Sequence, residues 1–271
     1  MANPGNTRRQ KASAKSYAVK TYRGRKGIVG KVHYHRKFRS ESLDNYRDIF
    51  VWLPPSYSVL AEKRYPVLYM HDGQNLINPV TSFAGMDWQV DETVTRLIKA
   101  GRMKEIIVVG INNTKDRLEE YSDSEKGNNY IKFITDELKP FIDSEYRTLP
   151  DPKNNAVMGS SMGGLISFIT AWKHPEVFSI AGCMSSSFYY DNDKIFETIK
   201  SHDKPFRGQK IYIDHGEDGL TRGQKMFALL TMKGFVIGTN IDYYYARGAD
   251  HNEAAWAERL ERPLLFFFGK E

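Results

Sequence analysis

With a single cysteine, Cys183, the 271-residue chain cannot build an internal disulfide framework. Cys183 lies in the apolar run SIAGCMS, which reads as a buried strand with the thiol as plain core. Long hydrophobic runs are also missing. The stretch Leu264 to Phe268 (LLFFF) falls far short of the roughly 20 apolar residues that a membrane-spanning helix needs. Nor do the first 25 residues hold the apolar centre of a secretion signal. The expected location is the cytoplasm, or outside the cell if a leader preceded the chain. Gly 21 and Pro 11 are spread rather than clustered, and 41% hydrophobic with 27% charged residues is the composition of an ordinary globular protein. At 271 residues, one large α/β domain or two small ones would fit.

Acidic residues are absent from the first 40 positions, which carry twelve Lys or Arg. The overall net charge of +6 is therefore misleading. Positions 41–271 hold 27 basic and 33 acidic residues, a net charge of −6. A basic arm over residues 1–27 could hold an anionic polymer or surface by simple Coulomb attraction. The plainer expectation is a poorly ordered, solubilising leader running into the first strand, with nucleic acid not expected as a partner. The oligomeric state is not legible.

The remaining residues, 28–271, alternate short apolar runs with longer amphipathic stretches. After a hairpin (Ile28 to Phe38, then Tyr46 to Leu53), the apolar runs Val67 to Met70, Ile106 to Ile111, Ala156 to Met158, Ile180 to Met184, Ile211 to Ile213 and Ile241 to Tyr245 read as buried strands. Between them, Val90, Val94, Leu97 and Ile98 form a helical stripe, as do Ile131, Ile134, Leu138, Phe141 and Ile142. Pro140 must kink or interrupt the second. Further helices are expected near 162–173, 192–200, 224–233 and 252–260. Repeated strand, helix, strand units predict one domain with a mostly parallel sheet and helices on both faces.

Gly159-Ser160-Ser161-Met162-Gly163 matches G-x-S-x-G, a pattern that chance alone supplies fairly often. Its setting says more than the pattern. An apolar strand enters it and a helix-compatible run leaves it, as a nucleophile elbow requires, with Ser161 at the apex. Ser160 would point into the fold. A serine hydroxyl needs a base to remove its proton, and a carboxylate to hold that base. Of seven histidines, His33 and His35 share one face of the basic hairpin without a third metal ligand in view. His174 and His202 read as solvated, and His71 as a loop-fixing hydrogen-bond partner. His251 follows the last apolar strand, where the order Ser, acid, His puts the base. Asp214, Glu217 and Asp218 compete for the acid. Asp218 is favoured because its shorter side chain would hold an imidazole more rigidly, while Asp214 is still on the strand. Acyl transfer also needs oxyanion donors: the Met162 amide, and a second from Gln74 or Gly73 in the turn after Met70.

The segments YPVLYMHDGQNL (65–76), DELKPFIDSEYRTL (136–149), GSSMGGL (159–165), WKHPEVF (172–178) and DHNEAAW (250–256), in this order, resemble the Putative esterase family. This is a branch of the α/β-hydrolases that includes enterochelin, feruloyl and acetylxylan esterases. The likeness runs from about Tyr46 to the C-terminus. It implies an α/β-hydrolase fold and a serine carboxylic ester hydrolase, with Ser161, His251 and an acid in the Asp214 to Asp218 loop as the triad. No metal or organic cofactor is implied. The family commonly has one more residue between the glycine and the acid than Gly216-Glu217-Asp218 provides, which keeps Glu217 in contention. The expected substrates are small-molecule esters: short-chain, acetylated-sugar or hydroxycinnamoyl. Phe188, Tyr189 and Tyr190 could stack on a substrate ring. Two other functions use the same sequence: an acyltransferase with the same triad, or a non-catalytic binding protein that presents the basic arm.

Overall fold

The computed structural model describes the backbone of Val19–Arg23 and residues 27–201 and 208–270. His202 and most of the basic arm lie outside the described residues. Among those described, nine strands form one sheet in the order β1-β2-β3-β5-β4-β6-β7-β8-β9. The strands are β1 (Val19–Arg23), β2 (Lys31–Ser40), β3 (Asn45–Leu53), β4 (Val67–His71), β5 (Ile107–Ile111), β6 (Asn155–Ser160), β7 (Ile180–Met184), β8 (Lys210–His215) and β9 (Ile241–Tyr245). β1, β2 and β3 are joined antiparallel and β3 meets β5 antiparallel. From β5 through β4 to β9 every pairing is parallel. This is the α/β-hydrolase architecture. The sheet begins earlier than expected, because β1 lies inside the stretch assigned to the arm and covers the open edge of β2.

Both sheet faces are buried, which is why the parallel strands read as continuous apolar runs. Successive side chains alternate between two cores. Val67, Tyr69, Val109, Val157 and Ile213 face one core, and Leu68, Met70, Val108, Met158 and Tyr212 face the other. On the first face lie α3 (Glu125–Lys132), α4 (Lys139–Glu145), α5 (Met162–Lys173), α6 (Tyr190–Lys200) and α7 (Leu220–Met232). On the second lie α1 (Val90–Lys99), α8 (Glu253–Arg259) and α9 (Glu261–Phe268). A short α2 (Arg117–Glu120) follows β5. The LLFFF run thus belongs to a docked helix, α9, that periodicity alone did not reveal.

Pro140 acts as expected of a residue that can neither donate to the preceding turn nor avoid its carbonyl. The segment Phe133–Leu138 widens into a π-helix, and α4 restarts with Pro140 in its first turn. In α6, Asp191, Asn192 and Asp193 have left-handed backbone angles, so regular helix begins only after them. His33 and His35 both meet the Tyr146 hydroxyl, at 3.2 and 2.7 Å. Burial pushes the His35 imidazole down to about 4. No described helix is long and apolar enough to cross a membrane.

Candidate active site

Strand β6 ends at Ser160, and Ser161 turns the chain into α5 with φ 57° and ψ −123°. That conformation is strained for a residue with a Cβ. Three backbone hydrogen bonds hold it: Ser161 N to Met184 O at 3.0 Å, Ser187 N to Ser161 O at 3.0 Å, and Leu165 N to Ser161 O at 3.1 Å. Glycine is needed at 159, since a Cβ there would sit 2.8 Å from the Gly163 carbonyl carbon. The Met162 amide opens a 12-residue helix, where the first N–H groups have no intrahelical acceptor. It therefore sits at the positive end of the α5 dipole. The Ser161 hydroxyl oxygen lies 3.2 Å from that of Ser187. Ser160 is buried, yet reaches the same cavity as Ser161.

The three competing acids have three different partners. Asp214, at the end of β8, is fully buried and faces the Arg259 guanidinium at 3.1 Å. It also accepts the Ser185 N–H at 3.2 Å. Glu217 accepts from the Tyr245 hydroxyl at 2.6 Å and from the Gly248 N–H at 2.9 Å, so it ties its loop to the turn after β9. These two donors hold its carboxyl below the usual range. Asp218 meets His251, with a short hydrogen bond between its Oδ2 and the ring Nδ1. That contact leaves Nε2 as the ring nitrogen able to take up a proton. The edge of Trp256 packs on His251 with centroids 5.0 Å apart and an 82° interplanar angle.

On the opposite side, β4 runs into Asp72, whose φ of 55° and ψ of 47° start the tight turn Gly73–Asn75. Gly73 presses against β5: a Cβ would lie 2.8 Å from Gly110 C and Ile111 N. Asp72 is held by Arg117 through Nε and Nη2, both at 2.7 Å, and by Asn113 Nδ2 at 2.6 Å. Gln74 Oε1 accepts the Asn113 N–H at 3.2 Å, and the Gln74 carbonyl accepts from Thr81 Oγ1 at 2.7 Å. His71 is buried and its Nδ1 lies 2.9 Å from the Tyr130 hydroxyl. Burial pushes its imidazole down to about 3. It stays neutral at any ordinary pH.

Ser161, His251 and Gln74 line one cavity of about 720 Å³, within the range of small-molecule sites. Asn75, Asn113, Arg117 and Glu253 make a polar part of its lining, and Phe83, Ala84 and Trp256 an apolar part. Phe83 is 94% exposed at the rim. The sequence argument missed these residues. Glu253 and Trp256 follow His251 in DHNEAAW, but Arg117 opens the four-residue α2 and Phe83 lies between β4 and α1, where the sequence shows no periodic pattern. Phe188, Tyr189 and Tyr190 do not line the cavity. Phe188 lies in the turn before α6 and is buried in the core against Phe168 and Phe196, with ring centroids 5.8 and 6.4 Å apart.

The model of the Putative esterase family matches residues 40–267. The chain belongs to this family. As a member it is a carboxylic ester hydrolase acting on small-molecule esters. It is 26% identical over 255 residues to "Uncharacterized protein YbbA" of Bacillus subtilis, covering 85% of this chain and 96% of that protein. It is 29% identical over 248 residues to an "Endo-1,4-beta-xylanase/feruloyl esterase" of Xylanibacter ruminicola, covering 85% of this chain and 30% of that longer protein. Among solved structures, a ferulic acid esterase superposes with a TM-score of 0.72 at 23% identity, over 87% of this esterase and 97% of that chain. The enterobactin esterase of Shigella flexneri superposes with a TM-score of 0.71 at 18% identity, over 94% of this chain and 60% of the other. At these identities, the two superpositions establish the shared fold.

Proposed function

We propose that this esterase works through an acyl-enzyme formed on Ser161, with His251 as general base and Asp218 as the carboxylate that orients the imidazole. The observation that carries this reading is the Asp218 to His251 hydrogen bond, on a histidine that shares one cavity with the strained Ser161. In attack, the Ser161 oxygen bonds to the ester carbonyl carbon while its proton passes to His251 Nε2. The carbonyl oxygen becomes an oxyanion, which the amides of Met162 and Gln74 receive. Collapse breaks the bond to the alcohol, and His251 returns the proton to the departing oxygen. Water, deprotonated by His251, then attacks the acyl-enzyme and releases the acid.

The cavity is much larger than an acetyl group and offers both polar and apolar walls. That favours an ester whose ring carries hydroxyl groups, hydroxycinnamoyl or acetylated sugar, over a plain short chain. The feruloyl and ferulic acid esterases among its relatives favour the same class. Ser161→Ala should lower turnover by about 10⁴ to 10⁶, and a fluorophosphonate probe should label Ser161. Labelling elsewhere, or full activity of the alanine variant, would refute the nucleophile assignment. Assays of methyl ferulate, acetylated xylo-oligosaccharides and p-nitrophenyl acetate, with and without an added alcohol acceptor, then rank the substrates. A new ester in the acceptor assay would favour the acyltransferase reading.

A further inference from the structure

The turn after β7 carries three consecutive serines with three different surroundings. Ser185 Oγ accepts from Arg259 Nη2 at 2.8 Å, beside the buried Asp214. The Ser186 hydroxyl faces Gly164, where a Cβ would come within 2.1 Å of it. Ser187 Oγ lies 3.2 Å from Ser161 Oγ, and its backbone N–H donates to the Ser161 carbonyl at 3.0 Å. Ser187 is 1% exposed. Its position is set by β7 lying parallel to β6, which brings Met184 opposite Ser160 and the following turn under the elbow. In this resting arrangement, the hydrogen-bond partner of the Ser161 hydroxyl is Ser187 and not His251.

We infer that Ser187 is a positioning residue for the reaction, donating its hydroxyl proton to Ser161 Oγ so that the Ser161 proton is left for His251. The inference rests on the nucleophile reading of Ser161. A hydroxyl pair shares one proton along the line between the oxygens, and only one partner can be its donor. If Ser187 donates, a lone pair of Ser161 is occupied on the β7 side and its own O–H must turn away from that side. During attack, the Ser161 proton goes to His251, the Ser161 oxygen forms the new C–O bond, and the Ser187 proton stays on Ser187. Negative charge builds on Ser161 Oγ as its proton leaves, so the donated bond strengthens before the C–O bond is complete. Two hydrogen bonds, one of backbone and one of side chain, fix Ser187 to the residue it serves.

Ser187→Ala should lower kcat and the rate of fluorophosphonate labelling by about tenfold each, the order of one hydrogen bond, with KM and Tm little changed. Ser187→Thr, which keeps the hydroxyl, should restore most of the rate, and Ser186→Ala should leave it at wild type. Wild-type labelling and turnover in Ser187→Ala would overturn the inference. So would faster labelling, because it would mean that Ser187 accepts the proton and restrains the nucleophile. If the probe labels another residue in the wild-type protein, it is the nucleophile reading that fails. If Ser161 is labelled at an unchanged rate in Ser187→Ala, this inference alone fails.

Discussion

The two flanks of the cavity are built differently. On the β4 side, the turn that carries Gln74 starts from the buried Asp72 and Gly73 and is held many times over. Asp72 takes three side-chain hydrogen bonds from Arg117 and Asn113, its N–H meets the Tyr121 hydroxyl at 3.3 Å, and the rings of His71, Tyr121 and Tyr130 pack together. On the β8 and β9 side, Asp218 and His251 have side chains 34% and 38% exposed and rest chiefly on each other and on Trp256. The difference fits the proposed chemistry. Donors for a developing oxyanion act best when fixed before the charge appears. A base that takes and returns a proton, and must admit water, needs one orienting partner and an open side.

Removing the single carboxylate support on the exposed flank should have the largest effect. Asp218→Asn keeps the shape but removes the charge that would stabilise an imidazolium, so kcat on one short-chain ester should fall by about 10³ to 10⁴. Glu217→Gln, which disturbs only the tie to Tyr245 and Gly248, should cost less than about tenfold. The reverse ranking would transfer the orienting role to Glu217.

The buried flank should respond in stability before it responds in rate. Arg117→Ala leaves the mostly buried Asp72 carboxylate without its charged partner, at a cost of about 3 to 5 kcal/mol. Thermal melts should show a clear drop in Tm, with kcat reduced as the Gly73–Asn75 turn loosens. An unchanged Tm would mean that Asn113 and the backbone alone hold Asp72.

The smallest effect is one of pH. The His71 imidazole lies at about 3 in the folded protein against 6.5 in an unfolded chain, because burial disfavours its charge. The unfolded state therefore takes up this proton first. The contribution to stability is complete above about 6.5 and is lost as pH falls toward 3. His71→Gln should give a shallower fall of Tm between pH 6.5 and 4 than wild type. Parallel curves would show that His71 does not couple the buried flank to acid.

Much of this fold was legible because its signals are local. Continuous apolar runs marked the parallel strands β4 to β9, the stripes of Val90 to Ile98 and Ile131 to Ile142 marked two helices, and Pro140 announced the break between α3 and α4. The glycines around Ser161 and the loop position of His251 were legible for the same reason. The edge strand β1 and helix α9 were not. One, VKTYR, is mostly basic and polar and is recruited by β2 as an edge, and the other is apolar on too many sides to show a stripe.

Within the site, local signals are enough for the order of elements, the sharp turn at Ser161, and a short list of acids at the end of β8 and in the loop that follows it. Side-chain length and position favour Asp218 over Glu217 and Asp214, but they name no partner for any of the three. Their partners, Arg259 for Asp214, the Tyr245 and Gly248 pair for Glu217 and His251 for Asp218, are set by how the chain packs. The same holds for Asp72 with Arg117, 45 positions apart, and for Ser161 with Ser187, 26 apart. Periodicity reports which way a residue faces on its own strand or helix. Which side chain it meets there depends on the packing of distant segments, and that packing leaves no regular mark on the sequence around either partner.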